Sequence, residues 1–351
     1  MKHKIFYLLV GFFSVVSYAQ EINIGKVKKI QSKALGQERE YWVSIPEHYN
    51  DEKYKDQHYP VIYLLDGEKY FHVVSGIVKN MSSGYYPLMP ESIVVAIKNI
   101  DRSRDLTPTE VSSLSYKSGG ASKFQAFIEQ ELIPEIEKQY KTLDYKILVG
   151  HSFGGLYTLN TLFKNPKAFN AYLAIDPSLW WDNNVLVNKL DAVLKTTNFK
   201  GNTLFVADAN SIGSQKKPSQ QHYAHAKAKK EAIKLIDTTV PKNLNYQIKH
   251  YKEEDHGSVV LPAFIDGFRS VFKGFRVDVK ALMKDPPLLK TQYDVLSSRL
   301  GVEFKPQSVY IDKVVDLCIK RGGEENAKIL HQINMDLYPE NSFLKNKLKK
   351  E

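Results

Sequence analysis

Cysteine is almost absent from this chain. Cys318 stands alone among 351 residues, so no intrachain disulfide can form. No Cys/His spacing suited to a metal ion is visible either. Long apolar runs are equally scarce. The one candidate extends from residue 5 to 16, preceded by Lys2 and Lys4 and followed by Ser17-Tyr18-Ala19, a small-x-small cleavage site before Gln20. It is too short to span a bilayer comfortably, and no Cys follows the cleavage site to carry a lipid anchor. Residues 1–19 therefore read as a signal peptide. The mature chain is expected to be periplasmic or secreted, with no membrane span. Charge of one sign is not concentrated anywhere. The formal charge of +10 becomes +8 once Lys2 and Lys4 are removed, and the surplus is spread along the chain. Lysine-rich stretches such as 227–234 and 345–350 suit solvated helix faces, not a nucleic-acid stripe.

What is present is a globular composition, 43% hydrophobic with 12% aromatic. Residues 21–46 alternate, with Tyr41, Val43 and Ile45 set against Glu40, Trp42 and Ser44, as antiparallel edge strands do. Tyr59 to Leu65, Ile93 to Ile97, Tyr172 to Ile175 and Thr203 to Val206 are near-continuous apolar runs, expected as strands buried on both faces. Tyr246 to Tyr251 is a further strand. Between them lie helical patterns, one at 122–140 with Ser122 and Gln125 spaced as a capping box, another at about 220–236. Strands alternating with helices predict an α/β fold with a doubly wound, mostly parallel sheet. From about Pro286 the pattern becomes all-helical, with helices expected near 289–300, 308–320 and 324–337. Pro306 and Pro339 lie 33 residues apart, close to a tetratricopeptide period. A single repeat cannot bury its own face, so this tail must dock on the main domain or contact another protein. The expected division is 20–279 for the main domain and 286–351 for the helical segment.

The chain is organised around Gly150-His-Ser-Phe-Gly154, which follows an apolar run and opens a helical one. Strand, sharp turn and helix around G-x-S-x-G make a nucleophile elbow, with Ser152 exposed at its apex and glycines at 150 and 154 relieving collision. His256, in Asp255-His-Gly-Ser258, follows the last strand and precedes an apolar helix, the place of a general base. His222 and His225 lie in a polar helix and read as solvated. His250 lies within a strand, and His151 is expected to point away from the nucleophile.

With these residues in place the sequence resembles the esterase family of α/β-hydrolases, which includes enterochelin (siderophore) esterases, S-formylglutathione hydrolases, feruloyl esterases and secreted mycolyltransferases. The resemblance rests on Tyr63-Leu-Leu-Asp-Gly67, Asp101-Arg-Ser-Arg-Asp-Leu-Thr-Pro108, Gly150-His-Ser-Phe-Gly-Gly155, Asp176-Pro-Ser-Leu-Trp-Trp-Asp182 and Asp255-His-Gly-Ser258. It implies an α/β-hydrolase fold, Ser152 as nucleophile, His256 as base, and an oxyanion hole from the backbone N–H groups of Phe153 and Glu68. The family usually places its acid in the loop after the Thr203–Val206 strand. Asp208 stands there and is the expected acid, though set early in the loop; Glu254 and Asp255 are nearer in sequence but poorly placed, and a Ser–His dyad is the alternative. Trp180, Trp181 and Arg102 are candidate substrate contacts. For Arg102, an ion-pair network with Arg104 and Asp105 is the competing expectation. No metal or organic cofactor is implied. With the signal peptide read above, the resemblance points to an exported serine esterase acting on a small-molecule ester, closest in type to siderophore polyesters. The alternatives are a carbohydrate (feruloyl or acetyl) esterase, an acyltransferase, and a non-catalytic hydrolase-fold binding module.

Overall fold

In a computed structural model, residues 22–213 and 216–339 are described, and residues 1–19, expected as a signal peptide, lie outside them. Eight strands form one sheet in the order β1-β2-β4-β3-β5-β6-β7-β8. Strands β1 (Lys26–Ser32) and β2 (Gln37–Ser44) pair antiparallel, and β2 joins β4 (Ile93–Ile97) antiparallel. The remaining pairings are parallel. They link β4 to β3 (Tyr59–Leu64), β3 to β5 (Thr142–His151), and then β6 (Ala171–Ile175), β7 (Asn202–Ala209) and β8 (Leu244–Tyr251) in turn. The expected strands are all present. Every residue of β3, β4 and β6 is buried, as unbroken apolar runs require when helices cover both faces. Each buried Val, Leu or Ile contributes about 1.5–3 kcal/mol by leaving water.

Four helices frame the carboxyl ends of the strands: α1 (Gly67–Met81), α2 (Phe153–Lys164), α3 (Gln220–Thr239) and α4 (Val260–Val271). The stretch read as one helix at 122–140 is three consecutive pieces, Ala121–Phe127, a π-helical turn Ile128–Leu132, and Ile133–Gln139. Its expected capping box is not formed. The helix begins at Ala121 after Gly120, before Ser122 could cap it, and Gln125 instead donates to Glu129. A capping box does form at α3, where Ser219 and His222 satisfy each other's backbone groups.

The tail forms α5 (Leu288–Leu300), α6 (Ser308–Lys320) and α7 (Glu324–Leu337). These helices dock on the sheet domain. Leu289, Tyr293, Ile311, Val314 and Leu330 belong to the same apolar core as Val94, Phe272 and Val277. The Tyr145 and Phe304 rings meet edge to face at 5.1 Å, and the Gln307 side chain bonds both backbone groups of Glu91. Among the described residues no helix is long and apolar enough to cross a membrane.

Candidate active site

The residues following β3, β5, β6, β7 and β8 meet at one end of the sheet, where open α/β sheets bind ligands. Ser152 sits at φ +61°, ψ −116°, a conformation held by the structure around it. Its N–H donates to the Ile175 carbonyl at 3.0 Å, and its own carbonyl accepts from Ser178 N–H at 3.1 Å, so the elbow is tied to the β6 turn. Glycine is required at position 150, where a Cβ would lie 2.2 Å from the Gly154 carbonyl oxygen. At position 154 a Cβ would meet only ordinary contacts, 3.4 Å from the Asp66 carboxylate, so the crowding expected of both glycines falls on the first.

Ser152 Oγ lies 3.0 Å from His256 Nε2, and His256 Nδ1 lies 2.5 Å from Asp176 Oδ2. The carboxylate that meets His256 is therefore that of Asp176, at the end of β6, and not that of Asp208, the residue expected there. Asp208 Oδ1 pairs with Lys229 Nζ at 2.7 Å and its Oδ2 with His250 Nδ1 at 2.7 Å. The reason is local. Asp176 adopts φ +40°, which turns the chain into Pro177 and leaves the carboxylate beneath His256. Asp208 is still within β7, in register with His250 on β8, so its side chain meets that neighbour. No dyad has to be invoked, because His256 has a carboxylate partner.

Asp176 is fully buried and fully satisfied. Oδ1 accepts from the Ala209 N–H at 3.0 Å and from Lys229 Nζ; Oδ2 accepts from His225 Nε2 at 2.9 Å and from His256. Burial opposes its ionisation, but the bonds from His225 and His256 and the charge of Lys229 outweigh burial and hold its carboxyl well below the usual carboxylate range. His225 is 6% exposed, so the solvated reading of this residue is corrected. Burial lowers its pKa, with Asp176 opposing. A buried pair spaced four residues apart, His225 and Lys229, on an otherwise polar helix is the signal that sequence reasoning passed over.

His151 does point away from the Ser152 side chain, yet it is not idle. Tyr70 Oη lies 3.0 Å from its Nδ1, and its Nε2 lies 2.7 Å from the His256 carbonyl. Burial, and then repulsion from His256, bring its pKa down to about 4, so the ring is neutral and braces the backbone of the loop carrying His256. Ser178 Oγ lies 3.1 Å from Ser152 Oγ, a second hydroxyl beside the first.

Phe153 opens α2, and Glu68 lies in the first turn of α1, where backbone N–H groups have no intrahelical acceptor. The two helix starts are clamped together. Arg102 donates to both oxygens of Asp66, at 2.6 and 2.9 Å, and to the His151 carbonyl at 3.2 Å. Arg102 is thus committed to holding the two turns, which corrects its candidacy as a ligand contact. Arg104 and Asp105 form a separate cluster with buried Arg39. The Glu68 side chain accepts from Asn99 and faces outward.

A cleft of about 300 Å³ opens over Ser152, between Phe153 and Trp180 on one side and Gln221, His222 and His225 of α3 on the other. Trp180 lines it. Trp181 does not: it is 2% exposed and its Nε1 donates to Thr109 Oγ1 at 3.0 Å, so it is a packing corner. Asp176, His225 and His256 offer three ligand atoms within 4.8 Å of one another, a set a metal ion could use. The Lys229 ammonium on the same carboxylate opposes a second cation there.

Sheet, elbow and flanking helices make this an α/β-hydrolase. The chain belongs to the esterase family, whose model, described as "Putative esterase", matches residues 32–245. It is 33% identical to an IroE-like serine hydrolase from Shewanella oneidensis, with a TM-score of 0.81, 89% of this chain and 99% of that one being covered. Two curated relatives are similar over a shorter span. The siderophore triacetylfusarinine C esterase of Aspergillus fumigatus is 32% identical over 44% of this chain and 56% of its own length. The ferri-bacillibactin esterase BesA of Bacillus subtilis is 36% identical over 40% of this chain and 54% of its own. The matches thus span little more than half the length of these two relatives.

Proposed function

We propose that this chain is an exported serine esterase that hydrolyses siderophore-type polyesters. The observation that carries the catalytic part is the unbroken chain Ser152–His256–Asp176, with links of 3.0 and 2.5 Å. In this reading His256 Nε2 takes the Ser152 proton as Oγ attacks the ester carbonyl carbon. The carbonyl π electrons move to oxygen, and the resulting oxyanion accepts from the N–H groups of Phe153 and Glu68. Asp176 stabilises the imidazolium. The C–O bond to the alcohol then breaks, and His256 Nε2 gives its proton to the leaving alkoxide, leaving Ser152 acylated. Water, deprotonated by His256, attacks the acyl carbon, and the same sequence in reverse releases the acid and restores the Ser152 hydroxyl.

Support for the substrate class comes from two named siderophore esterases among the relatives and from the aromatic side of the cleft, Phe153 and Trp180. Export rests on the charged start, apolar run and cleavage site of residues 1–19. The division into an esterase domain over 20–279 and a tetratricopeptide-like helical segment over 286–351 is likewise the reading we favour. The test uses purified residues 20–351 with a catechol trilactone and with p-nitrophenyl butyrate, beside Ser152→Ala. Turnover of both esters, abolished in the variant, is expected. Turnover of the simple ester but not the trilactone would overturn the substrate, and an inactive wild type whose Ser152 resists a phosphonate probe would overturn catalysis itself.

A further inference from the structure

Lys229 is 2% exposed, carries an ammonium group, and is bonded to neither Ser152 nor His256. Its Nζ instead joins two carboxylates. It donates to Asp176 Oδ1 and to Asp208 Oδ1, with the Ala209 carbonyl at 2.8 Å and Ser211 Oγ at 3.0 Å completing its shell. One turn earlier on the same face of α3, His225 reaches Asp176 Oδ2, and its ring stands edge-on to the His256 ring at 5.2 Å between centroids. The His225 Nδ1 is buried and finds no hydrogen-bond partner among the described residues, so Asp176 is the polar contact that holds this ring. Burying an ammonium and an imidazole is costly unless they are paired, and here the Asp176 and Asp208 carboxylates supply the pairing.

Resting on the serine-esterase reading above, we propose that His225 and Lys229 are positioning residues for the reaction. They fix Asp176 under His256, and Asp208 serves as the counter-ion that tempers Lys229. The carboxylate at the end of β7, in the place expected of the acid, is thereby part of the site without touching the base. Electrostatics gives the proposal a sign. A cation at Asp176 weakens the pull of that carboxylate on a proton arriving at His256, and Asp208 offsets part of that cation. Removing Lys229 should make His256 easier to protonate, and removing Asp208 should make it harder. Other titratable or charged groups around His256 are His151 from β5, the Asp66–Arg102 pair beyond it, His222 of α3 on the same cleft, His250 from β8 beside Asp208, and Glu254 and Asp255 in its own loop. All but His250, which loses its carboxylate partner in Asp208→Asn, keep their partners in the comparison.

The full mature chain is assayed for p-nitrophenyl butyrate hydrolysis as a function of pH, with melting temperatures recorded in parallel. Lys229→Met is expected to move the acidic limb of kcat/KM upward by about one pH unit, and Asp208→Asn to move it downward by a smaller amount. His225→Phe should lower kcat roughly 10- to 100-fold with little change in KM, and His225→Gln, which keeps a donor, should recover most of it. A purely structural role predicts lower melting temperatures with an unmoved limb. Shifts of the same sign in both variants, or none, would overturn the proposal. Asp208 lies at the rim, so its variant remains informative if Lys229→Met does not fold. If the wild type shows no turnover, the esterase reading fails. The positioning proposal is then decided by NMR titration of the His256 ring, where the same opposite movements are expected and their absence would refute it.

Discussion

Asp176 and Asp208 sit at the ends of neighbouring strands, yet their surroundings assign them different tasks. The first receives four donors with no exposure, and the second joins Lys229 to a half-exposed His250. Trp180 and Trp181 divide in the same manner. Trp181→Ala empties a buried corner and should cost about 3–5 kcal/mol of stability, read by chemical denaturation. Trp180→Ala should leave the midpoint nearly unchanged and raise KM for aryl esters severalfold. Equal destabilisation by both substitutions would contradict this division. Adjacent tryptophans in sequence carry no mark of which one is buried. The distinction depends on the kink at Asp182 and Asn183, both at positive φ, which the motif does not reveal.

At the scale of elements, the loop carrying His256 is braced from below by β5 through His151 and from the side by α3 through His225. Both imidazoles are buried, with pKa values below the ordinary one, His151 at about 4. Such a group binds fewer protons folded than unfolded, so its contribution is intact above the unfolded value near 6.5 and lost as pH falls toward 4. The Asp176 carboxyl, also depressed, acts in the same direction. The melting temperature should therefore drop as pH falls from about 6.5 to 4, with His151 alone accounting for roughly 3 kcal/mol. A flat profile across that window would refute the bracing role.

Elements were the most legible part of the sequence. Buried strands announce themselves as apolar runs, and the elbow as two glycines around a serine between strand and helix. The carboxylate partner of His256 was not legible, although Asp176-Pro-Ser178 stood out as a motif at the end of a strand. Its assignment depends on a left-handed backbone at Asp176 and on a helix, α3, whose polar composition concealed His225 and Lys229 at buried positions. The capping box at Ser122 failed for a related reason, since the helix began one residue earlier than the side chains implied.

The whole molecule behaves as one packed body across the expected boundary near residue 286. Arg299 donates to the Val271 and Lys273 carbonyls, the Tyr293 ring meets Phe275 edge to face, and Lys53 pairs with Asp312 at 2.5 Å. Ending the chain at residue 285 would uncover Tyr145, Phe272 and Phe275. Such a protein is expected to be insoluble or to melt at least 10 °C lower, the loss of a few kcal/mol from a domain of this size. A truncated chain that melts like the full one would show the tail to be an independent attachment.

The central claim, that Asp176 and not Asp208 orients the base of a Ser152–His256 esterase, is tested most directly by kcat/KM for p-nitrophenyl butyrate in Asp176→Asn and Asp208→Asn. The account predicts a loss of about 10⁴ for Asp176→Asn, as when the orienting acid of a triad is removed, and of tenfold or less for Asp208→Asn. The reverse order, or a small loss in both, would contradict it.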